Sequence, residues 1–335
     1  MVIGRIFRSS IACQTLCRWS FPLKIALVLD WPSIDAAPGH PLSEWEWKVT
    51  QELMQAATFK PDYVGTAFRA YTAKWPTLFT DNKPGGPLTQ LAEADRAKLC
   101  VDLQGYDMAL TMGPHAMFCL TGETKIDTFR GTHIDSPFVP GLQVVPTYSP
   151  TIFARMAWAE RPVVVSSMRK ALRRYTDQDR TIYIPETLDD LQAFEAHIGD
   201  QIVFDVETNK ACRITEFSVA PSSGCCLYVQ LEDRNYRDVW PADFELGIWT
   251  WLWKLAARTD LAWGFHNATY DLTYLDAYGI RPKGPIFDTM LRHHAWQPEW
   301  EKSLGFLASL HIPTRAWKHL RTKAKKDFNK TGAID

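Results

Sequence analysis

Membrane spans, cysteine clusters and repeats are missing from this sequence of 335 residues, and each absence excludes a class of protein. No apolar run reaches the ~18 residues that a membrane-spanning helix needs, so we expect no membrane partner. The seven cysteines are an odd number without paired Cys-x2-Cys sets. This argues against a zinc site or a disulfide framework and fits a reducing, cytoplasmic compartment. Internal repeats and low-complexity tracts are also absent.

An excess of charge is missing too. The formal net charge is −1, so the whole-chain balance does not indicate nucleic-acid binding. Local basic runs occur at Arg169-Lys170 with Arg173-Arg174 and between Lys318 and Lys326. The second run is the better candidate for a phosphate contact, and a solvated helix face explains it equally well. The first 29 residues contain no Asp or Glu. We treat residues 1–20 as an acid-poor tail outside the fold.

Hydrophobic material is plentiful at 46% of residues, and the length suggests two domains. The fourteen tryptophans are many for a chain of this size, and three of them fall within Trp249–Trp253. A helix packed on a sheet explains this cluster better than base stacking does.

The region from residue 21 to 176 alternates apolar strands with helices, a pattern typical of a parallel sheet covered on both faces. The predicted strands are Lys24–Asp30, Tyr106–Gly113 and Leu142–Tyr148. Ser43, with Glu46 three residues later, predicts a capped helix from Glu44 to Ala57. After a short polar linker, residues 181–335 are predicted to form the second domain.

The second domain carries two acidic clusters. The strand Ile202–Thr208 ends in Asp205 and Glu207, which lie on one face because side chains alternate along a strand. A second apolar strand, Leu261–Phe265, runs through a turn into a helix that carries Asp271. Carboxylates that converge repel one another unless a cation lies between them, and hard oxygen ligands select Mg²⁺ or Mn²⁺. Two such ions can hold the attacking and leaving oxygens of a phosphodiester.

These motifs, together with Phe287–Leu291 and Ser303–Leu310, resemble the DEDD 3'-5' exonuclease domain of family A DNA polymerases, especially phage-type ones. The resemblance covers roughly residues 181–335 and implies a ribonuclease H-like fold with a mixed sheet. It implies catalysis and binding of two Mg²⁺ or Mn²⁺ ions by Asp205, Glu207 and Asp271. The substrate would be a single-stranded 3' end of DNA. The residues expected to contact it are Asn267, His266 and Thr208. Asp288 is expected to be structural.

The family's third motif, Tyr-x3-Asp or His-x4-Asp, is not found. No tyrosine follows Tyr278, and no later histidine has an aspartate five positions on. We therefore expect a domain that is incomplete at its C-terminus and a weak nuclease. A polymerase domain would lie downstream or on a separate chain, in the host cytoplasm if the protein is phage-encoded.

The first domain resembles the uracil-DNA glycosylase-like fold. The residues that carry this resemblance are Asp30-Trp31-Pro32, Met112–Ala116, Thr121-Gly122, Arg130–Thr132 and Val145–Pro150. The family's last motif usually reads His-Pro-Ser, whereas this chain has Ser149-Pro150-Thr151. Because the histidine that would contact the departing uracil is missing, we expect no base excision from this domain.

A second hypothesis is kept beside the exonuclease. The missing third motif and the altered glycosylase motif also fit a non-catalytic DNA-binding or interaction module. Metal binding through Asp205 distinguishes the two, since only the enzyme requires it.

Overall fold

The computed structural model describes residues 6–8, 23–30, 42–67, 96–123, 125–150, 160–233 and 235–317. The basic run 318–326, most of the acid-poor tail and the loop at Trp31-Pro32 lie outside these residues. Within the described part of the chain, no helix combines the length and the apolar character that crossing a membrane requires.

The chain divides into two compact units. Residues 17–176 with 303–335 form the N-terminal unit, and residues 1–16 with 177–302 form the central unit. The boundary at Thr176 agrees with the linker expected from the sequence. Residues from Ser303 onward group with the N-terminal unit, whereas the sequence analysis assigned them to the exonuclease domain.

The predicted α/β class is confirmed, and both sheets are mixed. In the N-terminal unit the strand order is β3-β2-β4-β6-β5, with the first four strands parallel and β5 antiparallel to β6. The strands are β2 (Ile25–Leu29), β3 (Tyr63–Thr66), β4 (Met108–Met112), β5 (Ile134–Asp135) and β6 (Gln143–Thr147). Every residue of β2, β4 and β6 is buried. This agrees with their apolar sequences, which predicted a sheet covered on both faces.

The described helices of this unit are α1 (Glu44–Ala57), α2 (Pro114–Thr121), α3 (Ile126–Phe129), α4 (Arg161–Lys170) and α9 (Leu304–His311), and residues 96–102 are also helical. The capping box predicted at Ser43 and Glu46 is present, and α1 has the predicted bounds. The Ser43 side chain accepts the Glu46 amide, and the Glu46 carboxylate accepts the Ser43 amide.

The segment that starts at Ser303 is tied to the N-terminal unit by polar contacts. Ser166 Oγ donates to the carbonyl of Leu310 at 2.6 Å, and the His133 amide donates to the carbonyl of Thr314 at 2.9 Å. Arg315 forms an ion pair with Asp135 at 2.8 Å. These bonds explain why a segment adjacent in sequence to the central unit belongs to the other one.

In the central unit the strand order is β1-β7-β10-β9-β8-β11-β12. The strands are β1 (Ile6–Arg8), β7 (Thr181–Tyr183), β8 (Gln201–Thr208), β9 (Ile214–Ser222), β10 (Cys225–Gln230), β11 (Ala262–Phe265) and β12 (Ile286–Asp288). β8, β9 and β10 form an antiparallel meander, and β11 and β12 continue the sheet parallel to β8. This is the mixed sheet expected of a ribonuclease H-like domain. Contrary to expectation, residues 6–8 of the tail form a strand, paired with β7.

The helices of the central unit are α5 (Leu188–Phe194), α6 (Ala242–Ala256), α7 (Ala268–Ala277) and α8 (Thr289–Trp296). Phe204 and Val206 of β8 face a core that includes Trp249, Trp251 and Leu252 of α6. The tryptophan-rich helix is therefore a core element, as predicted. The opposite face of β8 carries the acids.

Candidate active site

The end of β8 presents two carboxylates on one face of the sheet. Phe204 and Val206 are buried in the core, so the alternating positions Asp205 and Glu207 project from the other face. Asp205 is exposed and Glu207 is half-buried. The arrangement follows from the sequence pattern, in which apolar and acidic residues alternate up to the end of the strand.

Asp271 reaches β8 from the first turn of α7. β11 pairs with β8 only as far as Gly264 opposite Val203, so the amide of Val206 lies beyond the neighbouring strand. The Asp271 Oδ1 atom accepts that amide at 3.0 Å. This bond brings the second acidic motif to the residue next to Asp205.

The electrostatics of Asp271 favour a bound cation. Its side chain is buried, with 2% of the residue exposed. Burial, together with the charges of Asp205 and Asp288, raises the pKa of Asp271 to about 6, although the Val206 hydrogen bond opposes the rise. A cation beside Asp205 and Asp271 would offset the cost of keeping both carboxylates ionised.

The donor set fits a hard divalent ion in chemistry, because all the candidate ligands are carboxylate oxygens. The positions of these side chains give less support to a metal site. Among the residues that the structure describes, no group of three or more His, Cys, Asp or Glu side chains is placed to hold a metal ion. Asp205 and Asp271 influence each other, whereas the charge of Glu207 acts on Tyr228.

Asp288, at the end of β12, has a different environment. Its carboxylate accepts the amides of Asn267 and Ala268 at the start of α7, at 3.2 and 2.7 Å. It also accepts the amides of Met290 and Leu291 at the start of α8, at 2.7 and 3.3 Å. Burial by itself would raise the pKa of Asp288, but these hydrogen bonds hold it below its usual range. The geometry is that of a helix cap, in agreement with its expected structural role.

The three residues expected to contact substrate lie around these acids. His266 Nδ1 is 2.9 Å from Thr289 Oγ1, at the start of α8. Asn267 lies in the left-handed region with φ 74°, and its side chain makes no capping bond to α7. Thr208 Oγ1 is 2.6 Å from the hydroxyl of Tyr270, the residue that precedes Asp271. The second acidic motif thus contacts the strand end at Val206 and at Thr208.

Two polar residues that the sequence analysis did not single out share the acidic face. Glu216 of β9 is the register partner of Glu207, and Tyr228 of β10 is the partner of Ser218, which pairs with Asp205. The Tyr228 hydroxyl donates to Glu216 Oε2. Burial and the adjacent Glu216 carboxylate raise the pKa of Tyr228, so the phenol stays protonated. Alternation alone could place these residues on a face, but finding them beside Asp205 needs the strand register.

In the N-terminal unit, Asp30 has a structural role. Its Oδ1 atom accepts the amides of His115 and Ala116 at 3.0 and 2.7 Å, at the start of α2, and Oδ2 lies 3.3 Å from His115 Nδ1. Gly113 adopts φ 115°, and a Cβ there would lie 2.1 Å from Asp30 Oδ2. Only glycine lets the chain turn this closely over the carboxylate.

Comparisons with known proteins give weak matches. No protein-family model and no curated protein matches the chain. Among solved structures, Brucella melitensis NrnC is 18% identical with a TM-score of 0.28, over 41% of this chain and 62% of that one. Trypanosoma brucei RNase D in complex with GMP is 13% identical with a TM-score of 0.27, over 34% and 35% of the two chains. Escherichia coli RNase D is 16% identical with a TM-score of 0.27, over 46% and 34%. At these values the matches carry no argument about function.

Proposed function

We propose that the central unit is a metal-dependent 3'-5' exonuclease, hydrolysing phosphodiester bonds at single-stranded 3' ends of DNA as the proofreading module of a DNA polymerase. The observation that carries the proposal is the hydrogen bond from Val206 to Asp271, which joins the two acidic motifs at one strand end. Two motifs in this order, each on the expected element, match the pattern of the DEDD exonucleases.

Asp205 and Asp271 would hold the first Mg²⁺ or Mn²⁺ ion, and Glu207 would turn toward it from the same face of β8. Such ions supply Lewis-acid stabilisation of the phosphodiester oxygens and activation of the attacking water. The exposure of Asp205 leaves room for a strand end on this face. Asn267, His266 and Thr208 would position the terminal nucleotide, with the exposed ring of Tyr270 beside Thr208.

The proposal extends to the rest of the polymerase. The polymerase domain would lie on the same or on a separate chain. The resemblance places a fourth acid and the residue that orients the water on a late helix of the exonuclease domain, in a Tyr-x3-Asp or His-x4-Asp motif that the sequence analysis did not find. In their absence we expect slow hydrolysis, because removing a group that activates water typically costs ~10²–10⁴ in rate.

The test is Mg²⁺-dependent release of nucleotides from single-stranded DNA and from RNA of the same sequence. We expect Asp205→Ala to reduce release by at least ~10²-fold. The matched control is Asp243→Ala, an exposed acid in the first turn of α6, which should leave release unchanged. Equal release by the wild-type protein and Asp205→Ala would show that the acids at β8 are not the nuclease site. Faster release from RNA would assign the substrate differently while keeping the site.

The second candidate is a non-catalytic nucleic-acid-binding module. It is favoured by one observation, the lack of a ready three-acid metal site among the described residues. A Mn²⁺ titration separates the two candidates. An enzyme binds Mn²⁺ through Asp205 and loses that binding in Asp205→Ala, whereas a binding module holds single-stranded DNA equally well with and without the ion.

A further inference from the structure

Two cationic side chains are buried next to each other in the N-terminal unit. Arg130 follows α3 and is 2% exposed, and Lys170 is the last residue of α4 and is 8% exposed. Burial and, to a smaller extent, the charge of Arg130 lower the pKa of Lys170 to about 7. Arginine and lysine are rarely buried unless an anion neutralises them.

The surroundings of Lys170 supply hydrogen-bond acceptors for its buried ammonium group. Its Nζ atom donates to the carbonyl oxygen of Gly131 at 3.0 Å and to that of Ser309 on α9. Gly131 has φ 66°, and a Cβ there would lie 2.5 Å from the Ser309 carbonyl, so the backbones pack closely. The ammonium group therefore has hydrogen-bond acceptors, although neither of them carries a full negative charge.

The surroundings of Arg130 do not explain how its buried charge is stabilised. The Tyr148 and Phe306 rings lie over its guanidinium group, with centroids 5.1 and 4.5 Å from Cζ. These contacts attract the positive charge to the ring faces, but they supply no carboxylate or carbonyl oxygen as an acceptor for the N–H groups. Among the residues that the structure describes, the buried Nε and Nη1 atoms of Arg130 have no hydrogen-bond partner. Asp127 and Glu160 influence the pKa of Tyr148, but in the described part of the chain no carboxylate is ion-paired with Arg130.

We propose that Arg130 and Lys170 form a binding site for a phosphate group, which would accept hydrogen bonds from the buried Nε and Nη1 groups of Arg130. Charge-assisted hydrogen bonds from arginine N–H groups to phosphate oxygens are strong, and two adjacent cations match the double charge of the ion. The aromatic rings would fix the guanidinium plane and exclude water, which strengthens an ionic bond at its edge. The residues of this site belong to the N-terminal unit, and the proposal does not depend on the nuclease proposal.

The phosphate could be free inorganic phosphate, the phosphate of a mononucleotide or one in a nucleic-acid backbone. Burial of Nε and Nη1 favours a small ion that the side chains can enclose. The three sources share one chemistry and differ in size, so separate titrations identify which of them binds.

The experiment measures thermal unfolding of the whole chain in phosphate-free buffer. Sodium phosphate, a 5'-mononucleotide and a single-stranded oligonucleotide are added in turn, with sodium chloride at matched ionic strength as the reference. We expect a saturable rise in Tm with phosphate, because a ligand that binds only the folded state stabilises it. Phosphate and chloride curves that coincide up to the highest concentration would overturn the proposal.

Arg130→Met tests the residue itself. Methionine keeps the apolar contact with Tyr148 and Phe306 and removes the charge. We expect Arg130→Met to lose the phosphate-dependent rise in Tm while its Tm in phosphate-free buffer is no lower than that of the wild-type protein. The control is Arg173→Met, an exposed arginine three residues after Lys170, which should keep the rise.

Two further readouts keep the test decisive. If Arg130→Met does not fold, direct titration of the wild-type protein followed by the ³¹P NMR signal of inorganic phosphate still reports binding or its absence. Asp205→Ala should keep the phosphate-dependent rise even when nuclease activity is lost. A rise that disappears in Asp205→Ala would place the bound phosphate at the acidic face and contradict the proposal.

Discussion

Asp271 is a buried carboxylate whose ionised form is disfavoured by the charges of neighbouring acids. Its hydrogen bond to Val206 fixes it at the end of β8, while burial and the charges of Asp205 and Asp288 raise its pKa to about 6. Such a residue stabilises the folded chain poorly when no cation is present. Perturbed carboxylates of this kind are typical of functional sites.

Removing that charge should have opposite effects on stability and function. Asp271→Asn keeps an oxygen that can accept the Val206 amide and eliminates the buried charge. In EDTA we expect its Tm to equal or exceed that of the wild-type protein, since no desolvated charge remains. With Mg²⁺ we expect at least ~10²-fold less nucleotide release. A lower Tm in EDTA would mean that the ionised carboxylate is itself needed for folding.

The sequence indicated the acids of this site as candidates and did not identify their polar neighbours. Asp205 and Glu207 stand out because an apolar strand ends in them, and Asp271 because it lies on the helix that follows the next apolar strand. Glu216 and Tyr228 do not stand out, because their proximity to Asp205 depends on the pairing of three strands. Register is a tertiary property that alternation within one strand does not specify.

At the scale of elements, Asp288 joins the starts of two helices. One carboxylate accepts four backbone amides, two from the beginning of α7 and two from the beginning of α8. The first amides of a helix have no partner within the helix, so a carboxylate there is favourable. Asp288 therefore fixes the helix that carries Asp271.

Asp288→Ala should destabilise the central unit by about 1–3 kcal/mol, the scale of losing one or two helix caps. Urea unfolding followed by tryptophan fluorescence measures this, with Asp243→Ala as the exposed-acid control. If Asp288→Ala abolished nucleotide release with no loss of stability, Asp288 would be a metal ligand and not a cap.

The start of α1 was predicted because its signal is local. The capping box at Ser43 and Glu46 is present, and Thr187 with Asp190 forms a second one before α5. Helix α5 ends at Phe194 and continues as a 3-10 turn to His197. Gly199 and the following strand require the chain to leave the helix, and a C-terminal end is set less by sequence than by what it packs against.

For the whole molecule, the division into units does not follow the order of the sequence. The segment from Ser303 returns to the N-terminal unit through Ser166, His133 and Asp135. This could not be predicted from the segment itself. Its apolar helix face could pack against any apolar surface. Most of its hydrogen bonds are accepted by its own backbone carbonyls, which every sequence has.

Hydrogen exchange should show this grouping. Leu110→Ala, in the fully buried β4, removes a core side chain at a cost of about 2–5 kcal/mol. We expect faster amide exchange in α9 together with β2, β4 and β6. Leu252→Ala in the core of the central unit is the control, and it should accelerate β8 and α6 more than α9. The opposite pattern would assign α9 to the central unit.

Strand β8 has a consequence for how this gene can change. Its eight residues serve two purposes at once, since one set fills the core and the other carries the acids. Inserting or deleting a single codon would exchange the two sets, burying carboxylates and exposing the Phe204 ring in one step. We therefore expect the sequence of this strand to change by substitution and not by insertion or deletion. Changes of length are confined to the turn after Thr208, before β9 begins at Ile214.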